Sequence, residues 1–418
     1  MFFGNWFKKE APFQGLTGFG GGATSLSLGG GAAETQASGG TETTYTEPTN
    51  GNTYQSHKFT SPGNFVITSL GSSPYDGSFD LLIVGGGGGA GSCKSPTQSF
   101  GGAGGGGGGY YQEAGKTLAV GTHPITCGAG GEGGEQSGGS DNKCQPGGDS
   151  TIGIPGGTDL TVKGGGGGGL GNDAPGDGGG NGGGGAMDNG EGGEYEPHPS
   201  TPGPGFKAWD GGDASWPKGG GGGGGCGMMG GALTTRKSQS PANPDNFDDY
   251  QANIGGNGWA APPVFSYPHV FGPQAPTVTP YCPTNNMYGG GGVGALGPVN
   301  GLNEYLYPLD IFNGAARQTP AGRNVGPPIP GRIVGYSAGY GGGGTGLPSS
   351  YPGTWHAPHF SFPPANIPLA TRSGKDKLGG GGGGGSRSWP QPWSPSGQGD
   401  GGSGCVIIAY VDLSLIHI

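Results

Sequence analysis

Phe79-Asp80-Leu81-Leu82-Ile83-Val84 runs without interruption into Gly85-Gly86-Gly87-Gly88-Gly89. The apolar run is too short for a helix and reads as a buried strand. The glycines that follow have no side chains to bury, so whatever orders them must be made by the backbone. The same junction recurs. His123-Pro124-Ile125-Thr126-Cys127 leads into Gly128-Ala129-Gly130-Gly131, and Thr158-Asp159-Leu160-Thr161-Val162-Lys163 leads into Gly164–Gly169. Near the end the order inverts: Gly401-Gly402-Ser403-Gly404 precedes Cys405-Val406-Ile407-Ile408-Ala409-Tyr410-Val411.

Glycine occupies 111 of the 418 positions. Further solid runs lie at Gly104–Gly109, Gly182–Gly185, Gly219–Gly225, Gly289–Gly292, Gly341–Gly344 and Gly379–Gly385. Composition alone would suggest disorder or a linker. Linkers lack large apolar residues, whereas this chain carries 7 Trp, 16 Tyr and 16 Phe and is only 11% charged. No Gly-X-Y period is present, which excludes collagen. A hydrophobic fraction of 30% is low for two or three ordinary cores. A small apolar core beside a large backbone-built region fits better.

More strands follow from the local pattern. Lys58–Thr68 reads as two strands about Pro62-Gly63. Leu118-Ala119-Val120 and His123–Cys127 read as a hairpin about Gly121-Thr122. The closing strand 405–411 needs partners, expected near 58–84 and 118–126, since an apolar edge would be exposed to aggregation. No segment has a 3.6-residue apolar period, so almost no α-helix is expected. The glycine runs suggest polyglycine II helices, with three residues per turn and a rise of ~3.1 Å, bonded backbone to backbone. The expected fold is all-β and irregular: a small β-sandwich combined with a polyglycine II bundle joined by long aromatic loops. The expected organisation is 1–45 as attachment leader and linker, and 46–185 as β-strands with the first glycine runs. Residues 186–400 form the glycine region with long loops, and 401–412 hold the closing strand. Leu413-Ser414-Leu415-Ile416-His417-Ile418 matches the translation of a transposase end used in sequencing libraries, and 413–418 is read as a sequencing artefact.

The chemistry is largely negative. Net charge is −10 and no Lys/Arg cluster exceeds the Lys8-Lys9 and Lys375-Asp376-Lys377 patches, so nucleic acid is not an expected partner. No run approaches the ~20 apolar residues of a membrane helix, and no secretory signal pattern opens the chain. Six cysteines lack CxxC spacing and read as free thiols. His356 and His359 stand at HxxH spacing, but Pro358 prevents a regular helix and no further ligand is evident. G-x-G-x-x-G matches are trivial in poly-Gly. No metal, cofactor or catalytic residues are assigned.

Six of the seven tryptophans follow Gly185. Aromatic, Asn-rich loops on a rigid support suit recognition, because Tyr and Trp give contact area at low entropy cost. The candidate contact residues are Trp209, Trp216, Trp259, Tyr288, Tyr305, Tyr307, Tyr340, Trp355, His356, Trp389 and Trp393. The alternative is that some aromatics cap the bundle as a local core. In the leader, Phe2, Phe3, Trp6, Phe7 and Phe13 form either an attachment patch or a frayed terminus.

The strand ending in poly-Gly at 81–89, the strand ending in Gly-Ala-Gly-Gly at 125–131 and Gly-Ser-Gly-Cys-Val-Ile-Ile-Ala-Tyr at 402–410 resemble the glycine-rich domain of phage virion and tail proteins. The leader, through Phe7–Phe13 and Leu16–Ala23, is similar to the start of structural proteins of marine tailed phages. The alternation of glycine runs with aromatic loops resembles the distal tail-fibre adhesins of T-even-like phages. That resemblance implies a virion protein whose loops bind a host outer-surface receptor, a porin loop or a glycan. It implies contact with other tail or fibre proteins through the N-terminus, no membrane insertion, and trimers as the usual fibre state. A purely structural virion protein is the first alternative, and an ice-binding or cell-wall glycine-rich protein is the second. A hydrolytic tail spike is the enzyme alternative.

Overall fold

The computed structural model describes residues 34–48, 51–71, 77–91, 103–134, 136–137, 140–141, 144–170, 175–185, 190–201, 205–211, 213, 223–226, 258–265, 287–292, 373–374, 376–383 and 399–412. In chain order the strands are β1 (Gln36–Ser38), β2 (Thr41–Thr46), β3 (Thr53–Phe59), β4 (Gly63–Ser69), β5 (Ser78–Val84), β6 (Tyr110–Thr117) and β7 (Gly121–Thr126). They continue as β8 (Gln136–Ser137), β9 (Ser140–Asp141), β10 (Ser150–Ile152), β11 (Leu160–Val162), β12 (Phe206–Lys207), β13 (Trp259–Ala260), β14 (Met287–Tyr288) and β15 (Cys405–Val411). One 3-10 turn spans Pro263–Phe265, and no α-helix occurs among the described residues.

Two antiparallel sheets form the sandwich, ordered β1-β4-β7-β10-β11 and β12-β6-β5-β15-β3-β2. β15 lies at the centre of the larger sheet, with Ile407 opposite both Leu82 of β5 and Lys58 of β3. It pairs with nothing near 118–126, which corrects half of that expectation: β7 belongs to the other sheet. Alternation along β15 explains its unbroken apolar sequence. Val406, Ile408 and Tyr410 pack between the sheets with Phe65, Phe79, Leu81, Ile125 and Ile152. Cys405, Ile407 and Ala409 face a second core with Leu82, Val84, Tyr110, Phe265 and Tyr288. The larger sheet is thus covered on both faces. Fully burying each such side chain is worth roughly 1.5–3 kcal/mol.

Two local readings are corrected. Leu118-Ala119-Val120 is the link between β6 and β7, not a strand; the strand is Tyr110–Thr117, which leaves Gly109 directly. The Thr/Glu stretch read as linker forms β2, and Gln36–Ser38 forms β1. Both gain their order from partners, β3 and β4, rather than from apolar content.

Beyond the sheets, the glycine runs pack against one another. Gly85, Gly88 and Gly91 donate their N–H groups to the carbonyls of Gly109, Gly106 and Ala103. Gly86 and Gly89 donate to Gly148 and Gln145, and Gly87 and Ala90 to Gly402 and Gly399. The donors therefore rotate among three neighbouring runs with a period of three residues. Carbonyls of the same run accept from Gly165 and Gly168, from Gly131 and Gly134, and from Gly382. In the strand before it, successive N–H groups alternate between two neighbours. The change from two directions to three occurs at Val84–Gly85, where neighbours begin to arrive from above and below the sheet. A side chain would block them: a Cβ on Gly87 would lie 2.0 Å from the Gly380 oxygen. Ser150 marks the boundary, donating to Val84 O at 2.7 Å and accepting from Gly128 N at 2.9 Å. Runs from 85–184 bond to runs at 224, 292 and 379–382, so glycines on both sides of position 185 interleave in one bundle.

Candidate recognition surface

Segment 205–211 crosses from sheet to bundle and is held at nearly every step by its backbone. Gly205 O accepts from Gln112 N at 3.0 Å, and Phe206 and Lys207 pair with Tyr111 and Tyr110 of β6. Trp209 N donates to Asn181 Oδ1 at 2.9 Å, and its carbonyl accepts from Gly182 N at 3.1 Å. Gly211 N donates to Gly193 O at 2.9 Å. The indole contributes to none of these bonds and is 47% exposed.

Asn181 is fully buried in the bundle. Its Nδ2 donates to Gly107 O at 2.8 Å and Gly108 O at 2.9 Å, and lies 3.2 Å from Cys226 Sγ. The Cys226 thiol donates to Gly108 O at 3.1 Å, and burial pushes its pKa up to about 12. A side chain thus replaces one element of the glycine lattice, and its remaining oxygen reaches the Trp209 segment.

Tyr195 is 46% exposed, and its N–H donates to Asp210 Oδ1 at 2.8 Å. Trp259, 38% exposed, lies on β13 opposite Tyr288 of β14. Lys207 Nζ sits 4.9 Å from the centre of the Trp259 ring, a cation–π contact. The carboxylates nearby are engaged: Asp213 accepts from Gly192 N at 2.9 Å and Glu196 pairs with Lys163. Aromatic planes, one ammonium and backbone-held carboxylates offer stacking and hydrogen bonding. Among the described residues no group of three or more His, Cys, Asp or Glu could hold a metal ion.

Two of the expected contact residues, Trp209 and Trp259, therefore lie exposed around segment 205–211. Tyr288 is corrected: it is fully buried, its hydroxyl donates to Phe265 O at 2.8 Å, and its ring lies 6.4 Å from that of Tyr110. It is a core residue because Tyr110, Val264, Phe265 and Leu378 cluster with it. Trp216, Tyr305, Tyr307, Tyr340, Trp355, His356, Trp389 and Trp393 lie outside the described residues, as do Phe2, Phe3, Trp6, Phe7 and Phe13. Lys207 and Tyr195 were missed by the sequence reading. Their only sequence signal is proximity to Trp209 and to the Gly190-Glu191-Gly192-Gly193 stretch.

The family model of a glycine-rich domain matches residues 60–411, and the chain belongs to that family. No curated protein matches the chain.

Proposed function

We propose that this protein is a phage tail-fibre or tail-associated adhesin. Its glycine runs act as a polyglycine II bundle, and its exposed aromatic side chains bind a receptor on the host surface. The observation that carries this reading is the contrast at Trp209: its backbone N–H and C=O are both bonded to the bundle while the residue remains 47% exposed. Exposing a large aromatic on a rigid frame lowers the entropy lost on binding. The period-three bonding of the glycine runs supports the polyglycine II reading, since three residues complete one turn of that helix. The N-terminal leader, through Phe2, Phe3, Trp6, Phe7 and Phe13, would attach the protein to other tail components, the mature location being the virion.

The test is binding of the labelled full-length protein to intact cells of candidate bacterial hosts, beside a Trp209→Ala/Trp259→Ala variant of unchanged circular dichroism. Host-restricted binding that the variant loses supports the adhesin. Failure of the well-folded protein to bind any host transfers the assignment to a structural virion component.

A further inference from the structure

We infer that the surface around Lys207, Trp209, Trp259 and Tyr195 takes a pyranose glycan bearing a carboxylate, a uronic-acid type of sugar. This rests on the adhesin reading above and narrows its receptor to one chemical class.

The placement comes first. Lys207 and Trp209 are two residues apart in a segment that begins as β12, and the Lys207 ammonium reaches the Trp259 ring at 4.9 Å. Trp259, distant in sequence, is therefore brought within one side chain's length of the Trp209 segment. The Tyr195 backbone N–H is tied to the same segment through the Asp210 carboxylate. Segment 206–211 thus carries Trp209 and is linked to Trp259 through Lys207 and to Tyr195 through Asp210; these are three of the four large hydrophobics exposed among the described residues.

The chemistry follows. The C–H face of a pyranose matches a flat aromatic ring, and the ring's polar edges leave the sugar hydroxyls in water. Lys207 occupies one face of Trp259, whereas Trp209 has no ring partner among the described residues. Among the described residues, no carboxylate pairs with Lys207. Those of Asp210, Asp213 and Glu196 are already committed to Tyr195 N, Gly192 N and Lys163. One cation, unpaired by any carboxylate among the described residues, therefore lies beside the Trp259 ring and two residues from Trp209. A sugar whose C–H face stacks on Trp209 would complete it by giving its carboxylate to Lys207 in a charge-assisted bond. The chain's net charge of −10 does not forbid this, because exposed charges beyond about 8 Å are screened at physiological salt.

The experiment measures binding of the full-length protein to oligogalacturonate and oligomannuronate by intrinsic tryptophan fluorescence and saturation-transfer NMR. Each oligomer is compared with its methyl ester, in which the sugar ring is kept and the charge removed. The expected result is about tenfold tighter binding of at least one free acid than of its ester, the size of one charge-assisted contact. Lys207→Gln should bring acid and ester to the same affinity. Trp209→Ala should weaken both about tenfold or more, while both variants keep the wild-type melting temperature. Equal affinity for acid and ester in the wild type would overturn the role given to Lys207. Absence of binding to every oligomer, with host-cell binding retained, would overturn the glycan class and leave the adhesin reading standing. Loss of cell binding as well would overturn both.

Discussion

Asn181 Oδ1 accepts the backbone N–H of Trp209 at 2.9 Å while its Nδ2 is bonded inside the glycine bundle to Gly107 O and Gly108 O. One buried amide joins the scaffold to the residue that faces solvent. Asn181→Leu removes both functions and leaves buried backbone groups without partners, each at a cost of about 1–3 kcal/mol. We predict a lower denaturation midpoint and a red-shifted, more quenchable tryptophan emission. Unchanged stability and quenching would show that the amide is dispensable.

The bundle should discriminate among glycines by position. Gly87→Ala would place a Cβ 2.0 Å from the Gly380 oxygen, a backbone atom that cannot swing away. Gly63→Ala, in β4, would meet nothing nearer than a Phe59 ring carbon at 3.4 Å. We expect Gly87→Ala to cost about 3 kcal/mol or more, at the upper end of overpacking effects, or to prevent folding. Gly63→Ala should stay within about 0.5 kcal/mol. Urea denaturation of the two variants checks this, and equal costs would rule out the close-packed bundle.

β15 should be sensitive on both faces. Ile407 and Ile408 are each fully buried but in different cores. Ile407→Ala and Ile408→Ala should each destabilise by about 2–5 kcal/mol, measured by chemical denaturation. A strand with one solvated face would show this loss at only one of the two positions.

His57 makes stability depend on pH. Burial lowers its pKa, opposed by the Gly39 carbonyl at 2.9 Å and by the Glu42 carboxylate at 3.8 Å. Its ring stacks on Tyr410 and meets the Phe65 ring edge-on, and its Nε2 has no hydrogen-bond partner. The unfolded chain takes up the proton near pH 6.5, before the folded one does. The stability contributed by neutral His57 is therefore full above that pH and falls as pH drops toward the lower folded value. The melting temperature should decline more steeply between pH 7 and pH 5 in the wild type than in His57→Phe. Parallel profiles would refute the assignment.

The four thiols of the described residues, Cys127, Cys144, Cys226 and Cys405, should be silent in the native state. Burial raises Cys127 to about 11 and Cys226 to about 12, and pushes Cys405 well above its ordinary value. Cys144 is buried, its thiol donating to Gly168 O. Thiol titration at pH 8 should gain at least four reactive groups on denaturation, since the thiolate is the nucleophile. Fast native reaction at these positions would contradict the packing.

The legible parts of this fold were those with a composition of their own. Phe79–Val84 and Cys405–Val411 announced themselves by continuous apolar residues, and the absence of a helical period excluded α-helix. β2, with Thr41-Glu42-Thr43-Thr44-Tyr45-Thr46, has little to bury and is a strand because β3 lies beside it. Its β-branched threonines were the available signal. β6 was missed because Tyr110–Thr117 mixes polar residues with a glycine. Trp259 and Tyr288 show the limit for the candidate site. They are directly opposed across one strand pair, yet one is exposed and the other buried, a difference set by what packs over each ring and not by residue type.

By itself, then, the sequence determined the class of architecture. Apolar runs of strand length must pair, and runs of glycine leave only backbone groups to satisfy one another. The tertiary structure decided which runs meet. Gly85, Gly86 and Gly87 are identical as residues, yet they bond to Gly109, Gly148 and Gly402 respectively. Glycine carries no side chain to encode a partner, so the choice falls to the sheets that fix where each run begins, and to Asn181, Ser150 and the other polar residues at their ends.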